Sequence, residues 1–266
     1  MRTLRGEMPF LDHLEELRWR IAWSVLSVAI GAGLGFWLVY HYDVLDLLIA
    51  PVRSASGDPD FQLQYLVPGG AFFITLRLAI YSGIIMAFPI VAYHVWSFLS
   101  PALDKREKRA IVPALYLGMV LFVAGMALAY FFALPATLKF FLLFETEALK
   151  SALEINETIG FIVKMLLVFG AMFELPIVVM LLSVMGLVTP RFLREKRRHA
   201  IVVITIVASF ITPGDLIVLT VMMMVPLVLL YELGIFLSVL VYRGKDKRAK
   251  EFETSLDAPS NSVEKK

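Results

Sequence analysis

At 266 residues, with 59 % hydrophobic residues, 18 % charged residues and a mean hydropathy of +0.78, the chain is too apolar for an ordinary soluble protein. The net charge of +2 says little by itself, because the information lies in where the charges fall. The absence of cysteine excludes disulfides, thiolate nucleophiles and Cys-ligated metals.

A hydrocarbon core of ~30 Å needs ~20 apolar residues at ~1.5 Å each. Six apolar stretches are read as spans: residues 21–40, 71–99, 110–132, 158–188, 200–211 and 216–241. The segments between them alternate in basic content. Arg2, Arg5, Arg18 and Arg20 precede the first span, and only Arg53 follows it. Lys105, Arg106, Lys108 and Arg109 come next, then Lys139 and Lys150, then Arg191, Arg194, Lys196, Arg197 and Arg198. Retention of Lys and Arg on the cytoplasmic side makes this an all-α integral membrane protein, with six transmembrane helices in a single bundle and both termini in the cytoplasm. Residues 1–242 are expected to form the membrane domain, and the polar stretch 243–266 a disordered cytoplasmic tail. The first span is read as retained rather than cleaved, since no convincing cleavage site follows it.

In chain order, residues 8–20 read as an amphipathic approach, with Phe10, Leu14 and Leu17 at helical spacing. Gly31 and Gly35 form a small-xxx-small pair that permits close helix packing. Outer caps are expected around residues 44–49 and 137–149. The fifth span is short: the interval from Arg198 to Asp215 gives ~24 Å of helix. Local bilayer thinning or burial among neighbouring helices would each accommodate it.

Charged groups inside apolar stretches carry the functional signal. Glu174, in Phe173-Glu174-Leu175-Pro176, sits mid-span, where an ionised acid costs ~2.5–3.5 kcal/mol. It must face the interior, a wet cavity or a partner, or stay protonated and bond a hydroxyl such as Tyr116 or Ser183. Pro176 frees a carbonyl four residues back and bends the helix. At the cytoplasmic side, Glu15, Glu16 and Glu107 stand among basic residues. Local pairing (Glu15 with Arg18, Glu16 with Arg20) is one reading, and capture of a guanidinium ligand the other. The four histidines show no zinc spacing, and no phosphate-binding loop or catalytic set is found. An enzyme, a cofactor and a nucleic-acid partner are not expected.

Several motifs then resemble one family in order and register. They are His13-Leu14-Glu15-Glu16-Leu17-Arg18, the stretch Tyr93-His94-Val95-Trp96-Ser97-Phe98-Leu99-Ser100-Pro101 with Glu107 after it, Phe173-Glu174-Leu175-Pro176, and Ile211-Thr212-Pro213-Gly214-Asp215. Together they resemble TatC, the multispanning subunit of the twin-arginine protein translocase, over roughly residues 10–242. The resemblance implies a receptor for twin-arginine signal peptides in the cytoplasmic (inner) membrane, working with TatA-like and TatB-like single-span partners and as a homo-oligomer within a larger complex. Export of folded proteins would be driven by the proton-motive force. It implies that Glu16 and Glu107, with Glu15, Arg18, Phe98 and Pro101 around them, form the signal-peptide site. It also makes Glu174 the intramembrane functional acid, and Pro51 and Asp215 functional outer-side positions. The stretch Val67-Pro68-Gly69-Gly70-Ala71 lacks the acid many relatives carry there, so any role of that acid does not transfer. A proton-coupled small-solute carrier is the competing reading, but no internal repeat supports it.

Overall fold

The computed structural model describes residues 10–56, 63–64, 68–99, 111–142, 154–211 and 217–256. Regular structure among the described residues is helical, apart from one isolated parallel bridge between Gln64 and Glu154. The helices gather into two compact units, Met1–Phe173 and Glu174–Lys266.

The first unit begins with α1, Phe10–His41, which carries the amphipathic approach and the first apolar stretch as one helix. It packs against α3, Gly70–Leu99. Their crossing is set by small residues. A Cβ on Gly83 would lie 2.5 Å from the Ala32 backbone nitrogen, and one on Gly31 would lie 2.7 Å from the Gly83 carbonyl oxygen. In a bilayer, where lipid is as apolar as leucine, such backbone contact is a main source of helix association. Gly83→Leu is therefore expected to lower the unfolding temperature in detergent, at an overpacking cost of ~1–3 kcal/mol or more. Gly33→Leu, on the open side of α1 with nothing within 4 Å, is the control expected to be silent. Equal effects of the two would mean that this crossing does not hold the unit together.

In the chain between these two helices comes α2, Val44–Ser56, which contains residues 44–49, where a cap was expected, and is longer. Pro51 sits inside it and is buried with Val52. A proline within a helix cannot donate to the carbonyl four residues back, which here belongs to Leu47. The Tyr130 hydroxyl donates to that Leu47 oxygen at 2.6 Å. Tyr130 belongs to a π-helical turn, Ala129–Ala133, between α4, Ile111–Leu128, and α5, Leu134–Leu142. Leu134 N–H bonds to Ala129 O, one residue further back than in an α-helix, immediately before Pro135. The wider turn makes room for a proline ring that would otherwise press on the preceding turn. The three segments run on from Ile111 to Leu142, so the part of the second expected cap that is described continues the third span's helix. α5 packs on α2.

The unit closes with α6, Ile155–Phe173. Its start is capped by Glu154, whose Oε2 accepts the Glu157 N–H at 2.8 Å and whose Oε1 accepts the Asn156 amide at 2.7 Å. The Asn156 amide, then the Glu157 N–H, hold the Glu154 carboxyl below its usual range. Arg77 ties α3 to this cap by donating to the Asn156 carbonyl at 3.1 Å. A stacked pair, Phe88 and Phe122, with ring centroids 3.7 Å apart, joins α3 to α4.

The second unit holds α7, Leu175–Val184; α8, Pro190–Glu195; α9, Arg197–Ile211; and α10, Ile217–Leu256. α7 ends at Gly186, whose φ of 76° favours glycine, while Leu187 N–H returns to Leu182 O at 2.9 Å. Thr189 then caps α8 by accepting the Phe192 N–H at 3.2 Å, with Pro190 in its first turn. α10 packs along α7, where the fully buried hydroxyls of Ser183 and Ser238 bond at 2.6 Å.

Five stretches among the described residues are long and apolar enough to cross a membrane: Asp12–His41, Gly70–Phe98, Val112–Phe141, Ile155–Val184 and Met223–Tyr242. With 15 residues, α9 extends only ~22 Å. α10 is helical to Leu256, so its last turns run into the polar stretch that begins at residue 243. The stretch Lys245–Glu253 is rich in Lys, Arg and Glu, which are strong helix formers.

Candidate functional site

The first turns of α1 and the last turns of α3 bring four polar and aromatic side chains together. Glu16 is the centre. Its Oε1 accepts two bonds from Arg20 one turn on, from Nε at 2.9 Å and from Nη2. Its Oε2 is buried and has no hydrogen-bond donor among the described residues, with His13 Nδ1 3.8 Å away. His13 in turn stacks on Phe98 of α3, with centroids 4.3 Å apart and planes 13° from parallel. Glu16 is thus joined to α3 through an aromatic sandwich, with its side chain only 22 % exposed.

This arrangement suits a cationic ligand. A carboxylate can accept about four hydrogen bonds, and Arg20 uses one oxygen only. Leaving the other oxygen buried without a donor costs about 1–3 kcal/mol, which an incoming guanidinium would recover. Glu15 and Arg18 are exposed beside it and make no ion pair among the described residues. Of the two local pairs considered from sequence, only Glu16 with Arg20 forms. Glu107, Pro101 and Asp215 lie outside the described residues. Neither the His13–Phe98 stack nor the buried Nδ1 of His94, which has no hydrogen-bond partner among the described residues, was anticipated. A His three residues before an acid hinted at His13, whereas the Phe98 contact crosses between helices and leaves no local trace.

Glu174 occupies the interruption between α6 and α7. Its own carbonyl accepts the Ile177 and Val178 N–H groups at 2.9 and 3.0 Å and so starts α7. Pro176, two residues on, has no N–H to donate to the Met172 carbonyl of α6, which is why the helix breaks here. The Glu174 Oε1 is buried with no donor among the described residues. Ser183, one of the hydroxyls considered for it, is bonded to Ser238 instead. In the second unit, Glu232 is paired with Arg197 at 2.6 Å. Pro51 is buried in α2, where it creates the free carbonyl that Tyr130 meets.

Several long apolar helices, interrupted by buried or half-buried acids, define a multi-pass membrane protein. The profile of the family Sec-independent protein translocase protein (TatC) matches residues 12–226. A relative from Aquifex aeolicus, named Sec-independent protein translocase protein TatC, is 36 % identical over 245 residues, covering 91 % of this chain and 100 % of that one. Another of that name, from Desulforapulum autotrophicum, is 35 % identical over 255 residues, covering 95 % and 92 %. A solved structure described as the twin arginine translocase receptor TatC superposes with a TM-score of 0.73 at 36 % identity, covering 86 % of this chain and 99 % of that one. The chain belongs to the TatC family of Sec-independent protein translocase proteins, a family of translocase components rather than enzymes.

Proposed function

We propose that this chain recognises twin-arginine signal peptides at the cytoplasmic face of the inner membrane and forms the core of a translocase that exports folded proteins, driven by the proton-motive force. The observation that carries the reading is the Glu16 carboxylate, with one oxygen held by Arg20 and the other buried without a donor among the described residues. Such a group favours a planar guanidinium over an ammonium, because the guanidinium fork matches carboxylate geometry. Glu107 is the second carboxylate of the pair, and Glu15, Arg18, Phe98 and Pro101 shape the surface around them. Glu174 acts later, as the peptide enters the bundle, and Pro51 and Asp215 serve on the outer side. In this reading α9 is a short fifth span of six, both termini are cytoplasmic, and TatA-like and TatB-like proteins and further copies of the chain complete the complex.

The test is direct. Purified full-length protein in lipid nanodiscs is expected to capture a peptide containing Arg-Arg and to bind its Lys-Lys counterpart markedly less. Equal capture of the two would remove the receptor reading.

A further inference from the structure

A groove of about 640 Å³ in the second unit lies between α8 and the end of the candidate span Met223–Tyr242. Its polar side is formed by Thr189, Arg191, Arg194 and Glu195, and its apolar side by Val239 and the ring of Tyr242. The walls are fastened together: the Tyr231 hydroxyl of α10 donates to the Leu193 carbonyl of α8 at 2.8 Å, and the Thr189 hydroxyl caps α8. Charge in the groove is unbalanced. Glu195 is taken by Arg191 Nε at 2.9 Å, and Arg194 has no acidic partner among the described residues. Lys196 and Arg198, exposed immediately after, have none either, while Arg197 is spent on Glu232.

The apolar side runs on into the span. Phe236, three residues before Val239 and so on the same face of α10, is 60 % exposed, and Leu240 is 59 % exposed. An unpaired Arg194 guanidinium beside the exposed Arg191–Glu195 pair, continuous with an apolar stripe along a membrane helix, matches the two halves of one molecule. We propose that this groove binds an anionic phospholipid, its phosphate between Arg191 and Arg194 and an acyl chain along Val239 and Phe236. A free phosphate would use the cations but not the stripe. A zwitterionic headgroup would bring an ammonium against the same cations, so a phosphatidylglycerol-like lipid is preferred. This assignment does not depend on the signal-peptide reading.

The experiment uses the full chain reconstituted in nanodiscs of equal parts phosphatidylglycerol and phosphatidylcholine, then released and read by native mass spectrometry. Wild-type protein is expected to retain phosphatidylglycerol over phosphatidylcholine and to keep it in a large excess of inorganic phosphate. The double variant Arg191→Gln, Arg194→Gln should retain phosphatidylglycerol about 30-fold less, the product expected for two juxtamembrane cations. Phe236→Ser should weaken retention while leaving the unfolding temperature unchanged. Unchanged retention by the arginine variant overturns the proposal. Displacement by inorganic phosphate or by an acidic peptide also overturns it, assigning the groove to a soluble anion instead.

Discussion

Glu16→Ala is expected to weaken binding of an Arg-Arg signal peptide by ~2–5 kcal/mol, roughly 30-fold to several thousand-fold. The size follows from desolvation. An exposed ion pair contributes only ~0–1 kcal/mol, whereas the Glu16 side chain is mostly buried and its Oε2 is shut off from water. Folding should survive, because among the described residues Glu16 is linked to α3 through His13, and the helix crossing is set farther along, where Gly31 of α1 meets Gly83 of α3. Glu16→Gln separates charge from shape: it keeps the side-chain length and one acceptor oxygen, loses the negative charge, and should bind nearly as poorly as the alanine variant. Affinity within a factor of two of wild type for both variants, measured by peptide titration in nanodiscs, would remove Glu16 from the site.

At Glu174 the expected outcome is the opposite combination. Glu174→Ala should leave surface binding of the peptide near normal, while transport of a folded cargo into inverted vesicles collapses. Stability should hold or rise, by up to ~1–3 kcal/mol, because the variant no longer buries a carboxyl oxygen without a donor. A site that costs stability and is needed for activity is the usual form of a functional acid. Wild-type transport by Glu174→Ala, or a clear fall in its unfolding temperature, would make the residue a packing element that helps the break before Pro176 and nothing more.

Part of the candidate site's local geometry was readable from residue types alone. Glu174 announced itself because an acid in an apolar stretch has no cheap place to go, and the structure places it at a helix interruption with one buried, donorless oxygen. The Glu16–Arg20 pair was readable because spacing of four brings two side chains onto one helix face. Pro51 could be singled out but not explained: that Tyr130 answers the carbonyl it frees depends on a contact between residues 83 apart in the chain. The π-helical turn before Pro135 was likewise invisible, since a proline can be absorbed by a kink, a break or a widened turn, and neighbouring packing chooses among them.

The sequence by itself determined where apolar segments begin and end, because segment length against bilayer thickness and the placement of Gly and Pro are local quantities. It also determined which side chains are costly to bury, because that depends on chemistry and not on neighbours. Only the tertiary structure decided which oxygen of Glu16 is engaged and which is left without a donor, that His13 lies flat against Phe98, and that Ser183 turns to Ser238 rather than to Glu174. Those choices rest on contacts between helices distant in the chain, where ångström-scale geometry selects one partner among several of equal chemical merit.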